Sequence, residues 1–242
     1  MSHLLFYILL LISLPVFSQK KWDGGAGTNL WNDPLNWNDN IVPSSSDNII
    51  LDNSAVSGNY SVILPVTAVT VKSILIDPSA SVQIDLTLPK QNTVVPALTI
   101  TGPGYGLTIN KGGIFRNSSG ASSGTPLVVS DSIKINNEGK FIINTPRAHA
   151  SNIDRISAAP GTEKGIVEFD IPDASTTISL SGRTYGSLVL KSTAWGKTLN
   201  YTAAGTSKVI IRSDLEIGDS VNFNLNFSDS ILIKGNLAQG YS

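Results

Sequence analysis

No cysteine occurs in the 242 residues. That excludes a disulfide framework, a lipobox acyl anchor and any zinc site that combines histidine with cysteine. Histidine is almost as scarce: His3 lies in an apolar leader, and beyond it only His149 remains. A Ser–His–acid triad would have to use His149, which has no nucleophile-elbow sequence nearby and reads as a solvated loop residue. Charged residues make up 14% of the chain, against about 25% in ordinary domains. Ser, Thr and Asn take their place on the polar faces. The net charge of −1 offers no long-range attraction for nucleic acid or an anionic membrane, so neither is an expected partner. No apolar run after Phe17 approaches the roughly 20 residues that a membrane-spanning helix needs.

One apolar run does stand out, Leu4 to Phe17. It is too short to span a bilayer, and Gln19-Lys20-Lys21 follows it at once. Val16 and Ser18 suit signal-peptidase cleavage, although Met1-Ser2-His3 lacks the usual basic residue. Residues 1–18 are therefore expected to be a signal peptide, cut near Ser18, and the rest to be secreted or held at the outer cell surface. What is left is long enough for one large all-β domain.

From Gly165 to Gly240 the chain reads as one short strand after another. Examples are Gly165-Ile-Val-Glu-Phe-Asp, Ser187-Leu-Val-Leu, Lys208-Val-Ile-Ile-Arg, Val221-Asn-Phe-Asn-Leu and Ser230-Ile-Leu-Ile-Lys. Apolar and polar residues alternate, the period of a pleated strand with one face buried. Gly, Asn, Asp and Ser mark the joints, where backbone tolerance and local hydrogen bonds are needed. Leu188, Val209 and Ile231 recur roughly 21 or 22 residues apart, a solenoid-like period. The same rhythm runs from Tyr60 to Ile143. Asn-Gly and Asp-Gly hairpin turns are scarce, which disfavours the rival β-sandwich. The expectation is an all-β, right-handed parallel β-helix over 54–242. Residues 145–164, with two prolines and mixed polarity, break the rhythm. They read either as an excursion with a short helical turn near Ser151 to Ser157 or as a divider between two halves, and as a secondary site candidate. Gly102-Pro103-Gly104 has no following helix, so it is a turn and not a phosphate loop.

Residues 19–53 differ in character. Trp22, Trp31 and Trp37 sit among Gly, Asn, Asp and Pro. One reading is a cap: the first coil of a solenoid has no neighbour, and large rings can cover its apolar end. The sharper reading makes Trp22, Trp31 and Trp37 a sugar-stacking platform. Asp23, Asp33, Asp39, Asp47 and Asp52 match no calcium-loop spacing. No cofactor and no metal are expected.

The run Trp22-Asp-Gly-Gly, Trp31-Asn-Asp-Pro-Leu-Asn-Trp, Val42-Pro and Asp47-Asn-Ile-Ile-Leu resembles the opening segment of large secreted bacterial surface proteins, especially from Bacteroidetes. Glu168-Phe-Asp, Leu180-Ser-Gly-Arg-Thr-Tyr-Gly-Ser-Leu-Val-Leu and Ile233-Lys-Gly-Asn-Leu resemble their repeat units. The resemblance implies an adhesin-like or exported role and carries over no catalytic residue. Asp131-Ser-Ile, Asp219-Ser-Val and Asp229-Ser-Ile read as coil corners in which Asp and Ser bond their own backbone. They also resemble the O-glycan acceptor pattern of such proteins. Such proteins are often longer, and here the chain stops after a strand. That suggests a piece of a longer protein or an end that self-associates.

Carboxylate chemistry has one candidate. Glu168 and Asp170, two apart on a strand, share a face, as a glycosidase pair would, yet charged pairs on a solvent face are ordinary. Arg183 and Arg212 could join them in a lyase-like groove. The preferred function is a non-enzymatic secreted or cell-surface solenoid with glycans or other surface proteins as partners. The alternative is a carbohydrate-active protein, either a lyase-like enzyme or a glycan-binding module.

Overall fold

The computed structural model describes residues 19–172, 176–193 and 196–240. The leader and the expected cleavage site after Ser18 lie outside the described residues. All pairings between strands are parallel, each strand bonding to one a full coil away, and the result is a β-solenoid of about eight turns. The sandwich alternative is thereby excluded.

The spine is an eight-stranded sheet. In stacking order it contains Tyr60–Ile63, Ile84–Leu88, Gly113–Asn117, Lys140–Ile143, Ile166–Phe169, Ser187–Leu190, Leu215–Ile217 and Leu237–Gln239. One inward row runs the whole length: Val62, Leu86, Phe115, Phe141, Val167, Leu188, Leu215 and Leu237 stand in register. Alternate residues point inward because successive Cβ atoms of a strand point to opposite faces. From Val62 to Leu188 this row is fully buried. Each such side chain contributes about 1.5–3 kcal/mol. Phe115 and Phe141 stack with ring centroids 5.4 Å apart and planes at 24°.

Two further faces complete each early coil. One is the five-stranded sheet from Gln19–Lys21 to Ser132–Ile135, and the other joins Val69–Val71, Leu98–Ile100 and Leu127–Val129. Late coils use Thr176–Ile178, Leu199–Gly205 and Val221–Phe227 on one face. On the other they use Thr184–Tyr185, Val209–Ile211 and Ile231–Ile233. The recurrence read from sequence is corrected at one point. Val209 pairs with Ile231, but Leu188 belongs to the spine and pairs with Leu215. Spine residues in register lie 21 to 29 apart, because corner loops vary in length while the inward row must not.

Glycine recurs where the chain turns into the spine, at Gly113, Gly139, Gly165 and Gly186, each just before or at a strand start and in register with the next. A Cβ at Gly165 would collide with the Ile135 carbonyl oxygen, and one at Gly186 with that of Gly165. The coils therefore approach backbone to backbone at this corner, which only glycine permits.

The first coil is assembled from the tryptophan segment. Gln19–Lys21 pairs with Asn48–Asp52. Trp31 N–H donates to Ile63 O at 3.0 Å, and Ile63 N–H donates to Asn29 O at 2.7 Å. Backbone groups that would edge the spine are thus satisfied by an irregular segment, which blunts the sheet edge.

Residues 145–164 do not divide the solenoid. Lys140–Ile143 and Ile166–Phe169 pair directly, so the spine passes through without a break. The segment between them forms the rest of one coil. A five-residue helix, His149–Ile153, packs against Leu127–Val129 where a strand would otherwise lie, and Ile156 bridges to Ile133. The helix starts earlier than the sequence suggests.

Candidate functional site: the helical coil and its groove

Away from the spine the helical coil offers its neighbours only a short run of backbone bonds around Ile156, and side chains add the rest. His149 Nε2 accepts the Ser179 N–H at 3.1 Å. Arg155 donates to the carbonyls of Ser130 and Asp131 at 2.8 and 3.0 Å. Arg183 forks onto Asp154 at 2.7 and 3.1 Å and also donates to Ser179 and Ser181 carbonyls. Arg212 reaches further, to Ala158 O, Thr162 O and Thr162 Oγ1. Backbone groups left out of a ladder need partners, and a planar guanidinium serves two carbonyls at once.

His149 is therefore no solvated loop residue. It is 5% exposed, and its ring meets Phe169 edge-on at 5.3 Å. Nδ1 is buried without a well-formed hydrogen bond, as is Asn152 Nδ2 one helical turn on. Burial pushes the imidazole below its ordinary value; the Pro146 carbonyl opposes this, and the Arg183 charge adds to it. The ring is accordingly neutral, with Nε2 the acceptor.

Glu168 and Asp170 are also not on an open solvent face. Both are 4% exposed. Glu168 lies between Lys140 and Lys191, at 3.1 and 3.2 Å, one coil to either side. Asp170 accepts Thr193 N–H and Oγ1–H at 3.0 and 2.7 Å. Arg183 and Arg212 do not join them, because both are committed to the helical coil. Tyr201 spans the next corner: its hydroxyl accepts from Ile171 N–H at 2.8 Å and donates to Lys191 O at 2.9 Å. Burial drives that phenol up to about 12.

The tryptophans do not form a sugar platform. Trp22, Trp31 and Trp37 are 2%, 1% and 0% exposed and belong to the core. Trp37 meets Trp22 edge-on at 5.2 Å and Trp31 at 4.8 Å, and Trp22 stacks on Tyr60 at 6.5 Å. No ring face is open for stacking. Composition alone does not set exposure, which depends on which way the segment folds back.

Beside the helical coil runs a groove of about 520 Å³, lined among others by Lys90, Ser119, Ala121, Arg147, Ile171 and Pro172. Four successive coils contribute to it. Its floor is held by hydrogen bonds: Ser118 Oγ–H donates to Asn144 Oδ1 at 3.1 Å, Ser119 Oγ–H donates to Asn92 O at 3.0 Å, and Asn144 donates to the Asp170 carbonyl. Sequence reasoning singled out 145–164 but missed the 118–122 turn and Lys90, which lie one and two coils earlier. No group of three or more potential metal ligands occurs among the described residues, nor any helix long and apolar enough to cross a membrane. Searches against protein-family models, curated proteins and solved structures find no match for this chain.

Proposed function

We propose that the chain is a non-enzymatic secreted or cell-surface protein of the adhesin-like kind, exported after removal of the leader, whose solenoid is a stiff support for a displayed surface. The observation that carries this reading is where the polar side chains of the spine spend their bonds. Asp85 with Arg116, Arg116 with Asn144, and Lys140, Glu168 and Lys191 together link one coil to the next. Ionic groups used this way stiffen a stack of coils, each of which contacts only its neighbours. The resemblance to Bacteroidetes surface proteins supports export.

A second reading, a glycan-binding module, is favoured by the groove. Its volume falls within the usual ligand range of roughly 300–1,000 Å³, and two cations border a floor of hydroxyl and amide groups. A glycan array read beside a turnover assay on acidic polysaccharides separates the readings. Binding without cleavage, weakened by Arg147→Glu, supports the glycan module. Cleavage that disappears in Glu168→Gln defeats the non-enzymatic reading. Neither binding nor cleavage leaves the structural support as the function.

A further inference from the structure

The helical coil interrupts two faces of the solenoid at once. On one, Leu127–Val129 and Thr176–Ile178 would be neighbours through a strand, but the helix His149–Ile153 lies between them. Two side-chain links join the helix to the next coil: the Arg183–Asp154 pair at its C-terminal end, and at its N-terminal end the His149 imidazole, which accepts the Ser179 N–H in the role a backbone carbonyl plays elsewhere. We propose that His149 is an acid-sensitive latch, and that protonation of its ring opens the solenoid at this coil while the spine stays paired.

Three features of the geometry converge. First, Nε2 accepts the Ser179 N–H, and a protonated imidazole has no lone pair left to accept with. Protonation would set N–H against N–H in a buried site, where an unmade bond is costly. Second, the charges facing the ring disfavour a cation. Arg183 is fixed nearby by Asp154 and by the Ser179 and Ser181 carbonyls. Asp154 is thereby already neutralised, Arg155 faces the Ser130 and Asp131 carbonyls, and Arg147 is exposed two residues before. Leu127–Val129, packed against the helix, carries no charge, and Phe169 presents only its ring. Third, the helix has little stability of its own. It is five residues long without a side-chain N-cap, and its N-cap residue, Ala148, sits at φ 49°, ψ 25°. A left-handed alanine persists only where its surroundings hold it, and isolated helices this short do not survive in water.

Opening would affect the groove, because Thr145, Pro146 and Arg147 form one of its walls. The latch thus couples pH to the shape of the surface, whatever that surface binds. The linkage has a definite sign. With the folded imidazole held below its unfolded value, the latch is fully closed above about pH 6.5. It weakens as the pH falls from there towards the folded value.

The test is backbone hydrogen exchange on the mature chain, corrected for intrinsic rates, at pH 7.5 and 5.0. Protection at Ser179 and across 149–157 should fall by about tenfold or more, as expected when a buried hydrogen bond is left unmade, while Phe141, Val167 and Leu188 in the spine keep theirs. His149→Gln, whose amide oxygen can accept the same bond without titrating, should show no fall. The ring's own titration, followed by NMR in the unaltered protein, keeps the test decisive if that variant does not fold. An imidazole that protonates with no change at Ser179 overturns the latch. So does equal loss of protection in the spine, which would mean global unfolding, or the same fall in His149→Gln.

Discussion

The indole Nε1–H of Trp37 donates to the carbonyl oxygen of Trp31 at 2.8 Å, wholly inside the protein. This bond closes the first coil on itself. Trp37→Phe keeps most of the packing but leaves the Trp31 carbonyl unpaired, and should cost about 1–3 kcal/mol. Trp37→Ala also leaves a cavity and should cost about 3–5 kcal/mol. Urea unfolding followed by circular dichroism reads both. Equal stability of Trp37→Phe and the parent would show that the bond contributes nothing.

Glu168 offers a sharper contrast. Its side chain is 6% exposed, while those of Lys140 and Lys191 are 27% and 37% exposed. Glu168→Ala leaves two lysines facing each other across three coils. A fully buried pair broken this way loses about 3–5 kcal/mol, and solvent screening at the lysines reduces the expectation to about 1–2 kcal/mol. The loss should shrink in the double variant with Lys140→Met, because the repulsion goes with the second charge. A double-mutant cycle in thermal unfolding checks this.

The glycine column predicts an asymmetry. Gly165→Ala must push the Ile135 carbonyl away at a corner where two coils touch, and should destabilise by about 1–3 kcal/mol. Gly161→Ala, where a Cβ would meet nothing but φ is 86°, pays only the left-handed backbone cost of about 1–2 kcal/mol. Folded yield and melting temperature of the two variants should differ in that order.

Acid should act on the protein a second time, below the range of the His149 latch. Asp52 is held below the usual carboxylate value. Burial opposes this, but the Ser54 hydroxyl and amide and then Lys21 outweigh it. A lowered carboxylate stabilises the fold fully above its unfolded value near 4 and loses that contribution as pH drops through the folded value. Stability should therefore decline as the pH falls below about 4. Asp52→Asn should flatten that decline while lowering stability at pH 7. An acid limb identical in the variant would remove Asp52 from the account.

Alternation of apolar and polar residues by itself determined that this chain forms strands, and the turn residues between them set the joints. Both properties are local, because a pleat places successive side chains on opposite faces whatever the strand pairs with. The scarcity of hairpin turns carried the further step to parallel coils. Pairing itself was another matter, since partners lie a coil apart and corner loops of unequal length hide the register. That is why Leu188 looked aligned with Val209 when its partner is Leu215. The side-chain environments were hidden for the same reason. Trp22, Trp31 and Trp37 are enclosed because the segment forms the first coil and turns its rings into the core. Glu168 is buried because lysines from the coils on either side lie against it, and His149 is buried because a helix takes the place of a strand. Burial and charge at these positions depend on neighbours from other parts of a coil or from the coils beside it, and only the folding and stacking of the coils bring those neighbours into contact.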